Sequence, residues 1–303
     1  HAGKKPRTAS KPQQASVAPA LFGVHKLKPV SRPAILIAIA VTGVVIKFKT
    51  GSGVGLNING NLFVQGSQSE PVVFTSFLDD NYGGDLNGDA TSTSPAPGNW
   101  QEIYLSQTSS STINYALLRY GGHYTTGSPD GRALLRIDQA TSTIQNSTFE
   151  YSYVYGIKTI ESNSTISNNI FRYNNNSSEG EASGIKAEAG NPTISNNTFE
   201  NNKKGLYLVN SLATVQNNTF ANNSQEAILS SNKLPGFSNN SGSENGVNAI
   251  VLDTVQTQAN STTTLSVNSL PFILDGYSTV VSSSRLVIAS PNQLKAKNTG
   301  RLK

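Results

Sequence analysis

The chain has no cysteine and no methionine in 303 residues, and only 14% of its residues are charged. Without cysteine there is no disulfide and no thiolate-bound metal, so stability has to come from packing and backbone pairing. Methionine is missing even from position 1, which is His1; the chain is therefore read as processed or as part of something larger. No stripe of apolar residues recurs at helical spacing. No apolar run is long enough to span a bilayer. The longest, PAILIAIAVTGVVIKFK at 33–49, is divided by Gly43 and rich in β-branched residues; it reads as a pair of buried strands and not as the core of a signal peptide. Asn, Ser, Thr and Gly take the place of charge. Such residues suit turns and a solvated sheet face, not helices.

Charge is also unevenly placed. Residues 1–50 hold nine Lys/Arg and no acid, and residues 285–303 hold five and no acid, whereas 51–284 hold nine basic against eighteen acidic residues. Basic ends thus flank an acidic middle. They read either as solvated tails or as ends that dock onto neighbouring copies or onto acidic glycans. No recognition motif accompanies the basic segments, so nucleic acid is not expected as a partner. Residues 1–32, rich in Pro, Ala, Lys and Ser, read as an extended basic arm or linker.

One short phrase recurs four times: STIQNSTFE (142–150), STISNNIFR (164–172), PTISNNTFE (192–200) and ATVQNNTFA (213–221). Weaker copies stand at 111–120 and 236–243. Recurrence near 22 residues, in segments too short to fold alone, predicts a solenoid. A second phrase recurs between the copies: GIKT (156–159), GIKA (184–187), GLYL (205–208), AILS (227–230) and AIVL (249–252). Stacking the coils at about 4.8 Å per rung puts like on like. Ile144, Ile166, Ile194 and Val215 then form an aliphatic row, and Phe149, Phe171, Phe199 and Phe220 an aromatic stack. Strand alternation turns Asn146, Asn168, Asn196 and Asn217 inward as an amide ladder, with the following residue in the left-handed bend. The six extra residues within 175–184 read as a loop at a coil edge.

This pattern resembles the right-handed parallel β-helix family, of pectate-lyase-like architecture, over residues 41 to about 290. It is most similar to long bacterial and archaeal surface proteins through VVIKF (44–48), NGNLFVQG (59–66), PVVFTS (71–76) and GGDLNGD (83–89) ahead of Trp100. The resemblance implies an all-β solenoid of roughly ten coils over 33–290, with an insertion at 79–99 and a basic tail at 291–303. It implies an extracellular or cell-surface location and a structural or adhesive role, as a module joined head-to-tail or laterally to copies of itself in a stalk, filament or surface layer. The alternative is a polysaccharide lyase or hydrolase acting on acidic glycans, or a non-catalytic glycan-binding module. The sequence blocks that mark polygalacturonases and pectate lyases are missing, and Lys158 and Lys186, at equivalent places after Gly-Ile, read as solvated face residues. No catalytic residue is assigned.

The insertion carries the best candidate site. Asp85, Asn87 and Asp89 place oxygen ligands on alternate residues, as calcium loops do, and Asp79 and Asp80 could close the sphere around Ca2+. Position six of the loop is Ala90 and position twelve Ala96, so the pattern is not an EF-hand. A Gly/Asp-rich surface loop without an ion is the other reading. Tyr82, Trp100, Tyr104, Tyr120, Tyr124 and Tyr173 read as exposed aromatics, and Tyr151, Tyr153 and Tyr155 alternate and are expected to share one face toward a glycan or a partner. Sequons at turns leave Asn163, Asn175, Asn176 and Asn222 as candidate glycosylation sites.

Overall fold

A computed structural model describes residues 37–297, except 52, 108, 124–131 and 177–180, together with the backbone of 301–302. The expected arm at 1–32 lies outside the described residues. The described chain contains strands and turns and no helix, wound as a parallel β-helix. Successive segments of each coil enter three parallel sheets in turn. The first has ten strands, from Ile37–Val41 to Arg285–Ile288; the second has eight, from Val45–Phe48 to Ser241–Ser243; the third has ten, from Leu56–Ile58 to Leu294–Ala296. Leu294–Ala296 pairs with Phe272–Asp275, and Arg301–Leu302 pairs with Tyr277–Ser278. Strand pairing therefore continues past residue 290, and 291–303 is not merely a basic tail.

The aliphatic row runs the length of the first sheet. It pairs Ala40 with Val64, then Ile113, Ile144, Ile166, Ile194, Val215, Phe237, Leu265 and finally Ile288. In the second sheet the four phenylalanines are completely buried. Their rings lie nearly parallel with centroids 5.1, 5.0 and 4.7 Å apart. Burial of each ring contributes about 1.5–3 kcal/mol.

The Gly-Ile phrase supplies the third sheet, and its glycines have a packing reason. A Cβ on Gly184 would lie 2.7 Å from Phe199 Cδ1 of the next rung, and one on Gly205 would lie 2.4 Å from Phe220 Cδ1. The row of phenylalanines ends at Gly242, which pairs with Phe220. In the preceding rung the glycine has become Ala227.

The amide ladder lies one residue later than strand alternation predicts. Asn146, Asn168, Asn196 and Asn217 have positive φ of 51°, 57°, 56° and 57° and face outward. A left-handed corner residue interrupts the two-residue period, so Ser167 and Asn168 both point out and Asn169 turns in. The internal amides are Asn169, Asn197, Asn218 and Asn240. The side-chain oxygen of Asn197 accepts from Asn169 N at 2.9 Å and Asn169 Nδ2 at 3.1 Å. Its own Nδ2 donates to Ile166 O at 2.9 Å and Asn218 Oδ1 at 3.0 Å. All four hydrogen-bonding positions of the amide are thus filled inside the coil.

A second ladder, which the sequence reading missed, stacks Asn174, Asn202, Asn223 and Asn245 at the next corner. Its signal was present: these asparagines follow Phe171, Phe199, Phe220 and Gly242 by three residues each, as the first ladder precedes them by two.

Two neighbouring substitutions separate these roles. Asn197→Ala strands Asn169 N–H and Ile166 C=O inside the coil. It should cost about 2–6 kcal/mol, at about 1–3 for each stranded group. Asn196→Gly keeps the left-handed corner and should stay within about 0.5 kcal/mol of the parent. Urea unfolding followed by circular dichroism measures both; equal losses would contradict the assignment.

Candidate functional site

Polar side chains gather along the corner between the second and third sheets and on the outer face of the third. The insertion at 79–99 leaves this corner. Asp79, at its start, is fully buried and accepts from Thr75 Oγ1 at 2.5 Å and Asn81 Nδ2 at 3.3 Å. It faces Arg119 Nε at 3.8 Å, so it belongs to the rod's own ion pairs and not to a set with the other loop acids. From there an alternating ladder climbs the second sheet: Arg119 to Glu150 at 3.1 Å, Glu150 to Arg172 at 2.7 Å, Arg172 to Glu200 at 3.9 Å. At the far end of the insertion, Asn99 Oδ1 accepts from Ser76 Oγ and Ala96 N, both at 2.9 Å.

Within the loop, Asp80, Asp85 and Asp89 each bring one carboxylate oxygen to within 4.8 Å of the others. Asp85 accepts from Ala90 N at 2.8 Å and Gly88 N at 2.7 Å. The amide of Ala90, and with it that of Gly88, holds the Asp85 carboxyl below its ordinary pKa. Ala90 takes φ 61° to make that bond. Asn87 Nδ2 donates to Asp89 Oδ2 at 2.9 Å, which fixes the direction of its own oxygen.

The three expected tyrosines do not share a face. Residues 151–154 are corner, and the strand begins only at Tyr155, so alternation does not apply. Tyr151 sits at the corner with φ 55°, Tyr153 is half-buried beside Gly98, and Tyr155 is 2% exposed. Tyr151 instead stacks with Tyr120 and Tyr173, one rung to either side, at 5.3 and 5.1 Å. The Arg119 guanidinium lies 4.4 Å from the Tyr120 ring. Trp100 is completely buried, stacked on Phe48 at 4.4 Å, with Nε1–H donating to Arg119 O at 2.9 Å. Asn163, Asn175, Asn176 and Asn222 are all exposed, although Asn163 Oδ1 accepts from Asn191 N and Asn175 Nδ2 donates to Asn201 O.

Lys158 and Lys186 are not solvated. They are 2% and 6% exposed on the outer face of the third sheet, in one column with Tyr104, Arg136 and Tyr207. Carboxylates from the flanks cover them. Lys158 Nζ lies 2.9 Å from Glu188, and Lys186 Nζ lies 2.9 Å from Glu181 and 3.3 Å from Glu188. Arg136 pairs with Asp138, its Nε donating at 3.0 Å. Tyr155 OH donates to Glu181 at 2.8 Å. Burial alone would lower the Lys186 pKa, but the hydrogen bond to Glu181 and the charge of Glu188 raise it above 10.5. Burial, then the bond to Glu181, push the Tyr155 phenol far above its ordinary value. Burial tends to raise Glu181, but its bonds from Lys186 and Tyr155 bring it below 4.5. Each group is locked in the protonation state it has at neutral pH.

A family model described as "Right handed beta helix region" matches residues 101–269. No characterised protein matches the chain in sequence. Among solved structures, the chain is similar to an alginate lyase from Paenibacillus sp. str. FPU-7, at 14% identity and TM-score 0.45, over 88% of this chain and 97% of that one. It is also similar to PfbA, a surface adhesin of Streptococcus pneumoniae, at 13% identity and TM-score 0.28, over 88% of this chain and 85% of that one. Neither likeness is close enough to transfer an activity.

The paired face makes a pH prediction. Glu181 is depressed, so its contribution to stability is present above about 4.5 and lost as pH falls through the folded value; Lys186 is raised, so its contribution is present below about 10.5 and lost as pH climbs past it. Lys186→Met should therefore destabilise by an amount constant across that window and shrinking in acid. The expected loss is about 1–3 kcal/mol, less than for an enclosed pair because Glu181 is half exposed. Urea midpoints of both proteins across pH check it; a difference that grows in acid would contradict it.

Proposed function

The chain belongs to the right-handed β-helix family, and on that footing we propose that it works as an extracellular structural and adhesive rod that joins further copies end to end. Ten rungs at about 4.8 Å make a rod of about 50 Å. The observation that carries the reading is the self-pairing on the outer face of the third sheet. A lyase needs a basic group that is unprotonated when it meets the substrate, and a hydrolase needs a carboxylic acid that keeps its proton near neutral pH. Lys186 and Tyr155 hold their protons too tightly for the first role, and Glu181 gives its proton up too readily for the second. An acidic glycan would have to displace Glu181 and Glu188 from both lysines before it could bind there.

The column of Tyr104, Arg136, Lys158, Lys186 and Tyr207 favours glycan binding over turnover as the second reading, because three stacked cations are bracketed by a ring at each end along five rungs. Incubation of the full chain with alginate or polygalacturonate, with and without Ca2+, distinguishes them. The expected result is no rise in absorbance from unsaturated ends and no new reducing ends. Turnover that is lost in Lys186→Ala would sink the structural reading.

End-to-end joining rests on the last rung. Ile288 closes the aliphatic row but is 42% exposed, whereas Leu265 and Phe237 behind it are 1% exposed. Val267 and Tyr277, earlier in the chain, are also exposed, at 43% and 49%. A further rung laid on this end would continue the row, and a second copy's Ile37–Val41 strand carries the matching residue, Ala40. Light scattering should give a mass above 32.1 kDa that falls toward it in Ile288→Asp. A parent protein that stays monomeric at all concentrations and salts would count against joining.

A further inference from the structure

The insertion at 79–99 holds an arrangement that the rod does not need for its own stacking. Asp80, Asp85 and Asp89 converge with one oxygen each inside a 4.8 Å span. Three carboxylates this close repel one another, and their convergence needs a counter-charge. A second observation is independent of the clustering. Oδ1 of Asp80, Oδ1 of Asn87 and Oδ1 of Asp89 are shut off from solvent, and none accepts a hydrogen bond. Buried oxygens are almost always paired, so three orphans in one loop call for a ligand.

In Asn87 and Asp89 the other polar atoms are occupied. Asn87 Nδ2 donates to Asp89 Oδ2 and Thr93 Oγ1, both at 2.9 Å, and Thr93 Oγ1 also donates to Asp89 Oδ2 at 2.6 Å. Asp89 therefore has one oxygen engaged by the loop and one free, and the Asn87 amide has only its oxygen free. The carboxylate of Asp85 is held by Gly88 N and Ala90 N, each on a different oxygen, which leaves further lone pairs on both. Asp79 is excluded from the set by its pairing with Thr75 and Arg119.

We propose that Asp80, Asp85, Asn87 and Asp89 form a calcium site that clasps the insertion onto the rod. The donors are all oxygen, with neither imidazole nor thiolate, which fits a hard cation. Calcium–oxygen distances of about 2.3–2.6 Å place opposite ligands up to about 4.6–5.2 Å apart, which covers the observed span. Magnesium, at about 2.0–2.1 Å, would need a tighter cluster and gives up its water less readily. The ion would tie the Asp80 end of the loop to the Asp85–Asp89 turn.

Isothermal titration of the full, chelator-treated chain with CaCl2 tests the site. One ion per chain is expected, with Mg2+ failing to compete at equal concentration. Asp80→Asn and Asp89→Asn should each weaken binding at least tenfold, while Asp253→Asn, on the third sheet away from the loop, leaves it unchanged. Far-ultraviolet dichroism that matches the parent shows that the variants keep the rod. Limited proteolysis gives a second readout: cleavage within 79–99 should speed up on chelation in the parent and be insensitive to calcium in Asp89→Asn. Absence of saturable binding, or binding that survives both loop substitutions, would overturn the proposal.

Discussion

A buried side-chain amide is tolerated only if the rung above and the rung below repeat it, and that requirement governs the rest of this rod. Apart from Asn245, which ends its ladder by donating to Asn248, each Asn of the two ladders spends its oxygen on one neighbouring rung, and its nitrogen on the other rung's amide and a backbone carbonyl. A slip of one residue would leave several buried polar groups unpaired at once. The two ladders are always five residues apart: Asn169 and Asn174, Asn197 and Asn202, Asn218 and Asn223, Asn240 and Asn245. Ser147 and Ser152 begin the pattern with the same spacing, their backbone amides donating to Asn169 and Asn174. The segment between the ladders therefore has one fixed length, and its central inward residue forms the phenylalanine row.

The rows of like residues were legible because identity at a fixed period is a property of sequence. Ile166 and Phe171 could be placed inward from the phrase alone. What could not be read was the conformation of a doublet. Asn168 and Asn169 are the same residue type, and alternation assigns the wrong one to the interior because a left-handed corner inserts an extra outward residue. Tyr151, Tyr153 and Tyr155 failed for the same reason: the alternation that would align them begins only at Tyr155. The burial of Lys158 and Lys186 was illegible for a different reason. The cover of Lys158, Glu188, lies on the next rung, and only the winding brings it near. Lys186 is covered locally, by Glu188 two residues on in its own strand and by Glu181 five residues before, but spacing alone does not say that these side chains fold over it. In the loop, local spacing found Asp85, Asn87 and Asp89, but the long-range partner Arg119 decides where Asp79 points.

Stacking like on like suits amides and rings but not charges, and the chain handles its ions accordingly. On the second sheet the repeat is broken on purpose of sign: Arg119, Glu150, Arg172 and Glu200 occupy successive rungs with alternating charge. On the third sheet Arg136, Lys158 and Lys186 do stack as like charges. There the compensation is lateral, from Asp138, Glu188 and Glu181. A unit charge one rung from its like is repelled by about 1 kcal/mol even in water, and more near a protein surface, so neither column could persist without its acids. The lysines on this face are therefore better understood as half of a neutral lattice than as a basic strip.

The longest insertions gather at one corner. The insertion at 79–99, the longer segment between Arg119 and Ala133, and the extra residues before Ser183 all fall between a strand of the second sheet and the next strand of the third. In the last of these coils Asn174 fixes the register before the chain leaves the coil, so the loop that follows can lengthen provided it returns to the third sheet. Such a corner is where a solenoid can add chemistry without disturbing its core. The features outside the repeat meet here: the acidic loop, Arg119 held between Asp79 and Glu150, and the stacked Tyr120, Tyr151 and Tyr173. Those tyrosines occupy left-handed corners that cost about 1–2 kcal/mol each for a residue with a Cβ. In later rungs the same corner holds Asn201 and Asn222, which adopt that conformation more easily. The strained tyrosines thus appear only on the rungs nearest the insertion, where stacking on one another and on Arg119 offsets the strain, and where this edge of the rod differs most from the rest.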